Sequence, residues 1–571
     1  MNLEQFWRRA LSFVKVQSPT PIGMAKTSND PLPNWTNLLA TNQGLWNDAK
    51  HRARTGPKIL LATSVGGFSA LTLVESVLAV ALTLRGAQVH TLLCDHALPA
   101  CLRVEMSDVP DPSTLERYEL PKVLCQGCCA TGQQLYNPLG LENHVFSQLL
   151  SQDEIQQARQ IASELSFDQI ESYRLNGWAV GEHAYAGALR YFASGNLEKE
   201  PAGEMVARRY LEGALRTAFV MQRLLKQFDY TAACFNHGIY SPQGVVGEVC
   251  RSLGVHVINW NVAYRKRCFI FSHDETYHHT LLSEPTSNWE TIPWDEEMDQ
   301  QIVDYLKSRW QGTRDWIWFH EKPDEAFDDF AKTVGLDLTK PIIGMLTNVM
   351  WDAQLHYRAN AFPNMLAWVI HTIEHFQQHP DRQLVIRIHP AEIRGTMPTR
   401  QPILLEIQKV FPHLPSNVFI IPPESPVSTY ASMLHCKAVL IYGTKTGVEL
   451  TSMKIPVVVA GEAWIRNKGL TIDASSPEDY SRILDHLPNL QGMRSDQVVR
   501  ARKYAYHFFF RRMIPISCME PTAAWPPYRL KISQLDELLP RKDPGLDLIC
   551  EGILSHSPFV YPSEKLGIHD A

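Results

Sequence analysis

The sequence predicts an α/β fold, two Rossmann-like domains facing each other across a cleft with a helical region connecting them. Two separate series of short apolar runs alternate with helical stretches, the pattern of parallel sheets built from strand, helix, strand crossovers. The 571 residues are about four times the ~150 that one domain commonly takes, so two sizeable cores fit. Turns rich in Gly, Thr and His follow several of the strands, where open parallel sheets hold their ligands.

Residues 1–57 read as an irregular lead-in, because Pro19, Pro21, Pro31 and Pro33 interrupt regular structure. At its start, Leu3, Phe6, Trp7, Leu11 and Val14 recur at helical spacing among Arg8, Arg9 and Lys15. A short amphipathic helix there either docks on its own protein or makes peripheral contact with a membrane. The first domain, 58–282, opens with a strand at Lys58–Ala62, the turn Gly66-Gly67, a helix over Ser69–Leu84 and a strand at Val89–Leu93. It resumes with a helix over Met205–Phe228, strands at Ala232–Asn236 and Val255–Trp260, and the helix Val245–Leu253 between those strands. Residues 283–338, acidic and Trp-rich, show no strand pattern and form the helical connection.

The second domain, 339–495, has strands at Ile342–Leu346, Leu384–Ile388, Val418–Ile421, Ala438–Tyr442 and Val457–Ala460. Helices fall between them at Asn364–Gln377, Leu404–Val410, Val427–His435 and Val448–Met453. Residues 496–571 comprise an aromatic, basic helix, Val498–Arg512, and a Pro-containing tail.

Composition excludes several classes. With 54 Lys+Arg against 60 Asp+Glu the net charge is 54 − 60 = −6, so no overall positive field invites nucleic acid. At 45% hydrophobic and 20% charged, the chain is ordinary globular protein. The longest apolar stretch, Leu71–Leu84, is broken by Glu75 and Ser76, short of the ~20 residues that cross a bilayer. Eleven cysteines, an odd number, and no evident secretory signal point to a cytoplasmic location, at the inner face of the membrane if the amino-terminal helix touches lipid.

The strongest local signal is the turn Gly443-Thr444-Lys445-Thr446-Gly447 with Glu449, set between a strand and a helix. Its backbone N–H groups and hydroxyls suit a phosphate, although a Thr-capped turn of purely structural role has the same residues. The glycine spacing of a nucleotide-hydrolysing P-loop is missing. Arg387-Ile388-His389-Pro390-Ala391-Glu392 ends another strand of the same series, placing His389 at the sheet's carboxyl edge with Arg387 two residues before it. In the first domain His237, followed by Gly238, ends a strand, as do Asp95 and His96; these three are the candidates for a catalytic base. Gly66, Gly67 and Asp352 are candidates for the acceptor side of the cleft. Cys94, Cys101, Cys125 and Cys128 could close a structural zinc site, or remain buried thiols or a redox-dependent disulfide.

The run from Thr347-Asn348-Val349-Met350-Trp351-Asp352 through Arg387-Ile388-His389-Pro390-Ala391-Glu392 and Tyr442-Gly443-Thr444-Lys445-Thr446-Gly447-Val448-Glu449 to Ala460-Gly461-Glu462 and Arg466-Asn467-Lys468-Gly469 resembles capsule polysaccharide biosynthesis proteins, among them capsular Kdo transferases. The resemblance covers roughly residues 340–485 and is looser before them. It implies a GT-B glycosyltransferase. The second domain would bind a CMP-, UDP- or GDP-linked sugar and the first a glycan or lipid-linked acceptor, with no cofactor or metal needed for catalysis. By the same resemblance His389 and Thr444–Gly447 would hold the donor phosphate and Glu449 would face the ribose. A polyol-phosphate transferase, a nucleotide-sugar epimerase or a non-catalytic glycan-assembly component are the alternatives on the same fold.

Overall fold

A computed structural model describes residues 32–310, 314–315, 327–352, 360–395, 397–522 and 526–568. Two sheets organise them. Strands β1 (Lys58–Ser64), β2 (Gln88–Leu93), β3 (Glu142–Val145), β4 (Tyr230–Asn236), β5 (His256–Val262) and β6 (Cys268–His273) belong to the first. Strands β7 (Ile342–Leu346), β8 (Gln383–Arg387), β9 (Val418–Ile421), β10 (Ala438–Ile441), β11 (Val457–Val459) and β12 (Ile472–Asp473) form the second. A late strand, β13 (Ile514–Pro515), returns to the first sheet. The orders are β13-β6-β5-β4-β1-β2-β3 and β12-β11-β10-β7-β8-β9. Pairing is parallel throughout the second sheet, and in the first except where β6 meets β5 and β13.

Each sheet has one point where the winding reverses. In the first, the chain moves outward as β1, β2, β3 and then, on the other side, as β4, β5, β6, so the reversal lies between β1 and β4. In the second it lies between β7 and β10. The loops leaving adjacent strands diverge there, which opens a crevice at the carboxyl edge. Every residue of β7, β8, β9, β10 and β11 is buried, as expected of strands covered on both faces by helices.

Two parts differ from the sequence reading. The lead-in is not irregular up to residue 57. After Pro33, Asn34 caps the helix Trp35–Thr41 by accepting from the Asn37 N–H, and the helix Gln43–Ala53 follows. Trp35, Leu39, Trp46 and Ala49 are buried in one core with the Ser69–Leu84 helix, and that burial outweighs the unfavourable local composition. The amphipathic segment at residues 3–15 lies outside the described residues, as do Trp316 and Trp318 of the connection. Within the connection the helices Ser287–Glu290, Glu296–Trp310 and Phe327–Val334 are as expected.

The carboxyl-terminal stretch is not a tail. Beyond the helix Ser495–Tyr506 and one π-helical turn, β13 adds to the first sheet, and the helix Pro544–Ser555 buries Leu546, Ile549, Cys550 and Ile553 in the first lobe's core. Asp543 caps that helix. No described helix is long and apolar enough to cross a membrane.

Candidate functional site

In the second lobe three neighbouring strand ends converge. Thr347 follows β7, and its hydroxyl accepts the His389 N–H at 3.2 Å just beyond β8. His389 Nδ1 accepts the Ala391 N–H at 3.0 Å, so the ring proton resides on Nε2 and the imidazole is a hydrogen-bond donor. Burial, aided by the charges of Lys445 and Arg387, holds its pKa down at about 4, which keeps it neutral near pH 7. Beyond β10, Thr444 and Thr446 set their hydroxyls 3.1 Å apart, and the Thr446 N–H donates to Thr444 Oγ1 at 3.3 Å. Close neighbours favour glycine on both sides of them. A Cβ on Gly447 would lie 2.6 Å from Ile441 Cδ1, and one on Gly443 3.0 Å from the Glu462 carbonyl oxygen.

In the first lobe the reversal point is tied shut at its base. The Thr63 hydroxyl at the end of β1 accepts the Asn236 N–H at 2.9 Å and donates to the buried Glu75. One residue on, His237 takes a left-handed backbone, φ 64°, with its N–H on the Trp260 carbonyl, a conformation that costs energy outside glycine. Its ring lies 5.0 Å from Tyr240 and edge-on to Tyr277, and its Nδ1 is buried without a hydrogen-bond partner. Burial and the nearby Arg190 hold it neutral, with a pKa of about 3.

The two crevices meet. Tyr240 donates to Asp352 at 3.1 Å, Lys445 Nζ sits 4.6 Å over the Tyr264 ring, and Trp464 packs 5.3 Å from His278. Away from this seam, Gln401 accepts the Gly195 N–H at 2.9 Å, and Lys468 donates to the Leu282 carbonyl at 3.0 Å. Asp352 thus stands at the junction of the two lobes.

Other predicted positions serve the scaffold instead. Glu449 does not face a ligand: it is fully buried, with Lys445 Nζ 3.2 Å and Arg309 Nε 3.3 Å from Oε1 and the Tyr430 hydroxyl donating to Oε2. Burial alone would raise its pKa, but the Arg309 and Lys445 charges outweigh that and hold it at about 2. Arg387, 1% exposed, donates to the Pro422 and Ser425 carbonyls and so pins the loop after β9. Glu392 Oε1 accepts the Ile403 N–H at 3.2 Å, capping the Ile403–Val410 helix, while burial lifts its pKa to about 7.

Gly66 and Gly67 do not open to the cleft. A Cβ on Gly66 would lie 2.5 Å from the Cys128 carbonyl oxygen, so these glycines admit the Lys122–Tyr136 helix. Asp95 accepts the Ser147 N–H at 2.9 Å and the Ser147 hydroxyl, a cap on the Phe146–Leu149 turn, which occupies the carboxylate. His96 is exposed, at φ 72°, on the rim of a pocket lined by Cys94, Cys101, Cys125 and Cys128. No three of those sulfurs lie within 4.8 Å of one another, wider than a four-coordinate zinc site requires, and burial raises the Cys94 thiol to about 12. They stand as half-buried free thiols, with Cys128 Sγ accepting the Gly67 N–H at 3.0 Å.

Sequence reasoning missed several residues at the seam. Tyr264, His278 and Trp464 carry no local motif, and Tyr240 lies in the run after the His237-Gly238 turn; the four are joined only by the meeting of the lobes. Glu462 belongs to a quoted motif without having been singled out. Burial raises its pKa to about 7, Oε2 is buried with no hydrogen-bond partner, and the side chain adjoins Gly443.

Neither a protein-family model nor a curated protein matches the chain. Solved structures align with it at low identity. The β-Kdo 2,4-transferase KpsC of Thermosulfurimonas dismutans aligns at 11% identity and a TM-score of 0.32, covering 48% of this chain and 79% of its own. A UDP-N-acetylglucosamine 2-epimerase homologue from Listeria monocytogenes gives 10% identity, a TM-score of 0.24, and coverage of 78% and 91%. The spinosyn rhamnosyltransferase SpnG gives 12%, 0.23, and coverage of 79% and 95%. The two-lobed α/β architecture therefore rests on the strand orders themselves.

Proposed function

We propose that the protein is a glycosyltransferase of GT-B architecture, moving a sugar from a nucleotide-activated donor to a glycan or lipid-linked acceptor of the capsule type its second-lobe motifs resemble. One observation carries the reading: the reversal points of the two sheets face each other, joined by Tyr240 to Asp352 and by Lys445 over Tyr264. The second lobe supplies phosphate-binding groups in His389 Nε2–H, Lys445 and the Thr444 and Thr446 hydroxyls. As the bond from the anomeric carbon to the donor phosphate breaks, negative charge grows on that phosphate. Donors already fixed in place stabilise it without reorganising.

The acceptor oxygen bonds to the anomeric carbon and must lose its proton. A base works best with a pKa near the working pH, which favours Glu462 at about 7 over His237 at about 3. His237 and Tyr240 then orient the acceptor by hydrogen bonding. Contacts on both sides of the seam keep water out while the reaction proceeds.

A mass-resolved screen of CMP-, UDP- and GDP-sugars against glycan and lipid-linked acceptors tests the reading, with a new glycosidic bond the expected product. A phosphodiester product, or an altered free nucleotide sugar, assigns the cleft to a polyol-phosphate transferase or an epimerase. Calorimetry that finds no binding of CMP, UDP or GDP sinks the enzymatic reading.

A further inference from the structure

We propose that the second lobe carries a transition-metal site, suited to zinc, formed by His375 and His379 with Asp485. The first two lie one turn apart at the end of the Met365–Gln378 helix, and Asp485 lies on the neighbouring Pro477–His486 helix. The Met365–Gln378 helix leads from the end of β7 back to the start of β8. Its last turn therefore sits at the amino edge of the sheet, opposite His389 and the cleft.

Three observations point to a bound cation. The Nε2 atoms of His375 and His379 lie 3.7 and 3.6 Å from Asp485 Oδ1, and all three atoms fall within 4.8 Å of one another. These separations are too long for hydrogen bonds. Zinc bonds of about 2.0–2.1 Å at tetrahedral angles set ligand atoms about 3.3–3.4 Å apart, so each histidine nitrogen stands a few tenths of an ångström too far from Asp485 Oδ1 for a shared ion.

Next, His379 Nδ1 lies 2.7 Å from the His375 carbonyl oxygen, which can only accept, so the ring proton is on Nδ1. In the neutral ring Nε2 keeps the lone pair, 3.6 Å from Asp485 Oδ1; the two imidazoles stack with centroids 4.2 Å apart and 21° between their planes, so one ring turns about its Cβ–Cγ bond to share an ion. Two electron-rich atoms face each other there, an arrangement that a cation between them resolves. A backbone carbonyl on the far nitrogen is also how metal-bound histidines are commonly oriented. Finally, the His375 side chain is 8% exposed and its Nε2 is buried with no hydrogen-bond partner, a group that costs free energy unless something binds it.

The His379 side chain is 30% exposed and Asp485 50% exposed, which leaves an entry path and room for a water as fourth ligand. Above this trio His371 Nε2 pairs with Ser481 Oγ at 2.8 Å, so the same two helix faces are already in register. The ion would clip these helices together on the outside of the lobe.

The test uses the full chain, untagged and stripped with a chelator, titrated with Zn2+ by calorimetry and checked by elemental analysis. About one equivalent is expected, and Asp485→Asn, which keeps the shape of an exposed side chain, weakens binding about tenfold or more. His379→Ala does the same, whereas the double variant Cys94→Ser, Cys128→Ser leaves binding unchanged. Co2+ bound there gives visible d–d absorption without a thiolate charge-transfer band. Absence of saturable Zn2+ binding overturns the proposal. So does an affinity unchanged in Asp485→Asn, or one lost only in the cysteine variant, which would place the metal in the cysteine pocket.

Discussion

At the scale of single residues, the molecule keeps a set of ionisable groups far from their ordinary titration. His389 is neutral over the physiological range because burial holds it at about 4. Nucleotide affinity should therefore be flat from roughly pH 5.5 to 8, with no inflection near the usual histidine value, as calorimetry across that range would show. His389→Ala should weaken nucleotide binding by roughly 10- to 100-fold, the usual worth of a hydrogen bond to a charged group. His237→Ala should leave that affinity intact and lower turnover, and Glu462→Gln should lower turnover more, by about 100-fold. Equal losses of nucleotide binding from His389→Ala and His237→Ala would contradict the division between donor and acceptor lobes.

Glu75 gives a stability prediction whose sign follows from its surroundings. Burial raises its pKa from 4.5 to about 7 despite bonds from Thr63, Trp260 and Tyr136, so the folded protein binds this proton more tightly than the unfolded chain. The contribution to stability is complete below about pH 4.5 and is lost as pH rises through about 7. Between those limits the stability difference should shift toward Glu75→Gln by on the order of 3 kcal/mol, read from denaturant melts of both proteins. No sequence pattern marks Glu75 as special, because its partners come from β1, β5 and the Lys122–Tyr136 helix. The turn at 443–447 was legible, since its glycines and threonines are contiguous. Glu449 was misread for the opposite reason. Its place one turn into a helix is local, but the Arg309 that claims it is 140 positions away.

At the scale of elements, the connection between the lobes is more than a spacer. Arg309, at the end of the Glu296–Trp310 helix, pairs with Asp315 and Glu449 and lies 4.9 Å from the Phe509 ring centroid. Lys445 joins the same network, so the turn at 443–447 is braced by the connecting helix. Replacing Glu449 with Gln leaves two buried cations facing one fewer anion. The expected cost is about 3–5 kcal/mol, seen as a lower unfolding midpoint with the second lobe affected.

Strand positions were the most legible feature, because fully buried parallel strands appear as short apolar runs. β7 and β9 fall at Ile342–Leu346 and Val418–Ile421, as those runs indicate, and the first long helix spans Ser69–Leu84. The short edge strands β3 and β12 left no such run, since half-exposed residues at an edge need not be apolar.

At the scale of the whole molecule, the first lobe is assembled from two distant stretches of chain. Ile514 and Ile516, with Leu546, Ile549 and Ile553, share one core with β1 and the Ser69–Leu84 helix. Fully burying such aliphatic side chains contributes about 1.5–3 kcal/mol each. Deleting residues from 544 onward should therefore strip hydrogen-exchange protection from β1 and β4 while β7 and β10 keep theirs. A return to the first lobe could not be inferred from a Pro-interrupted segment with no periodicity, because what fixes it is the vacancy at the edge of a sheet formed 240 residues earlier.

That return sets an order of events during synthesis. The second lobe's strands all precede residue 474, so they have left the ribosome before β13 and the Pro544–Ser555 helix exist. The amino-terminal half, translated first, must wait with an unfinished sheet edge and an open hydrophobic face until the last residues emerge. A nascent chain halted near its end thus carries a finished carboxyl half and an exposed amino half, and it is the earlier-made part that a chaperone would hold.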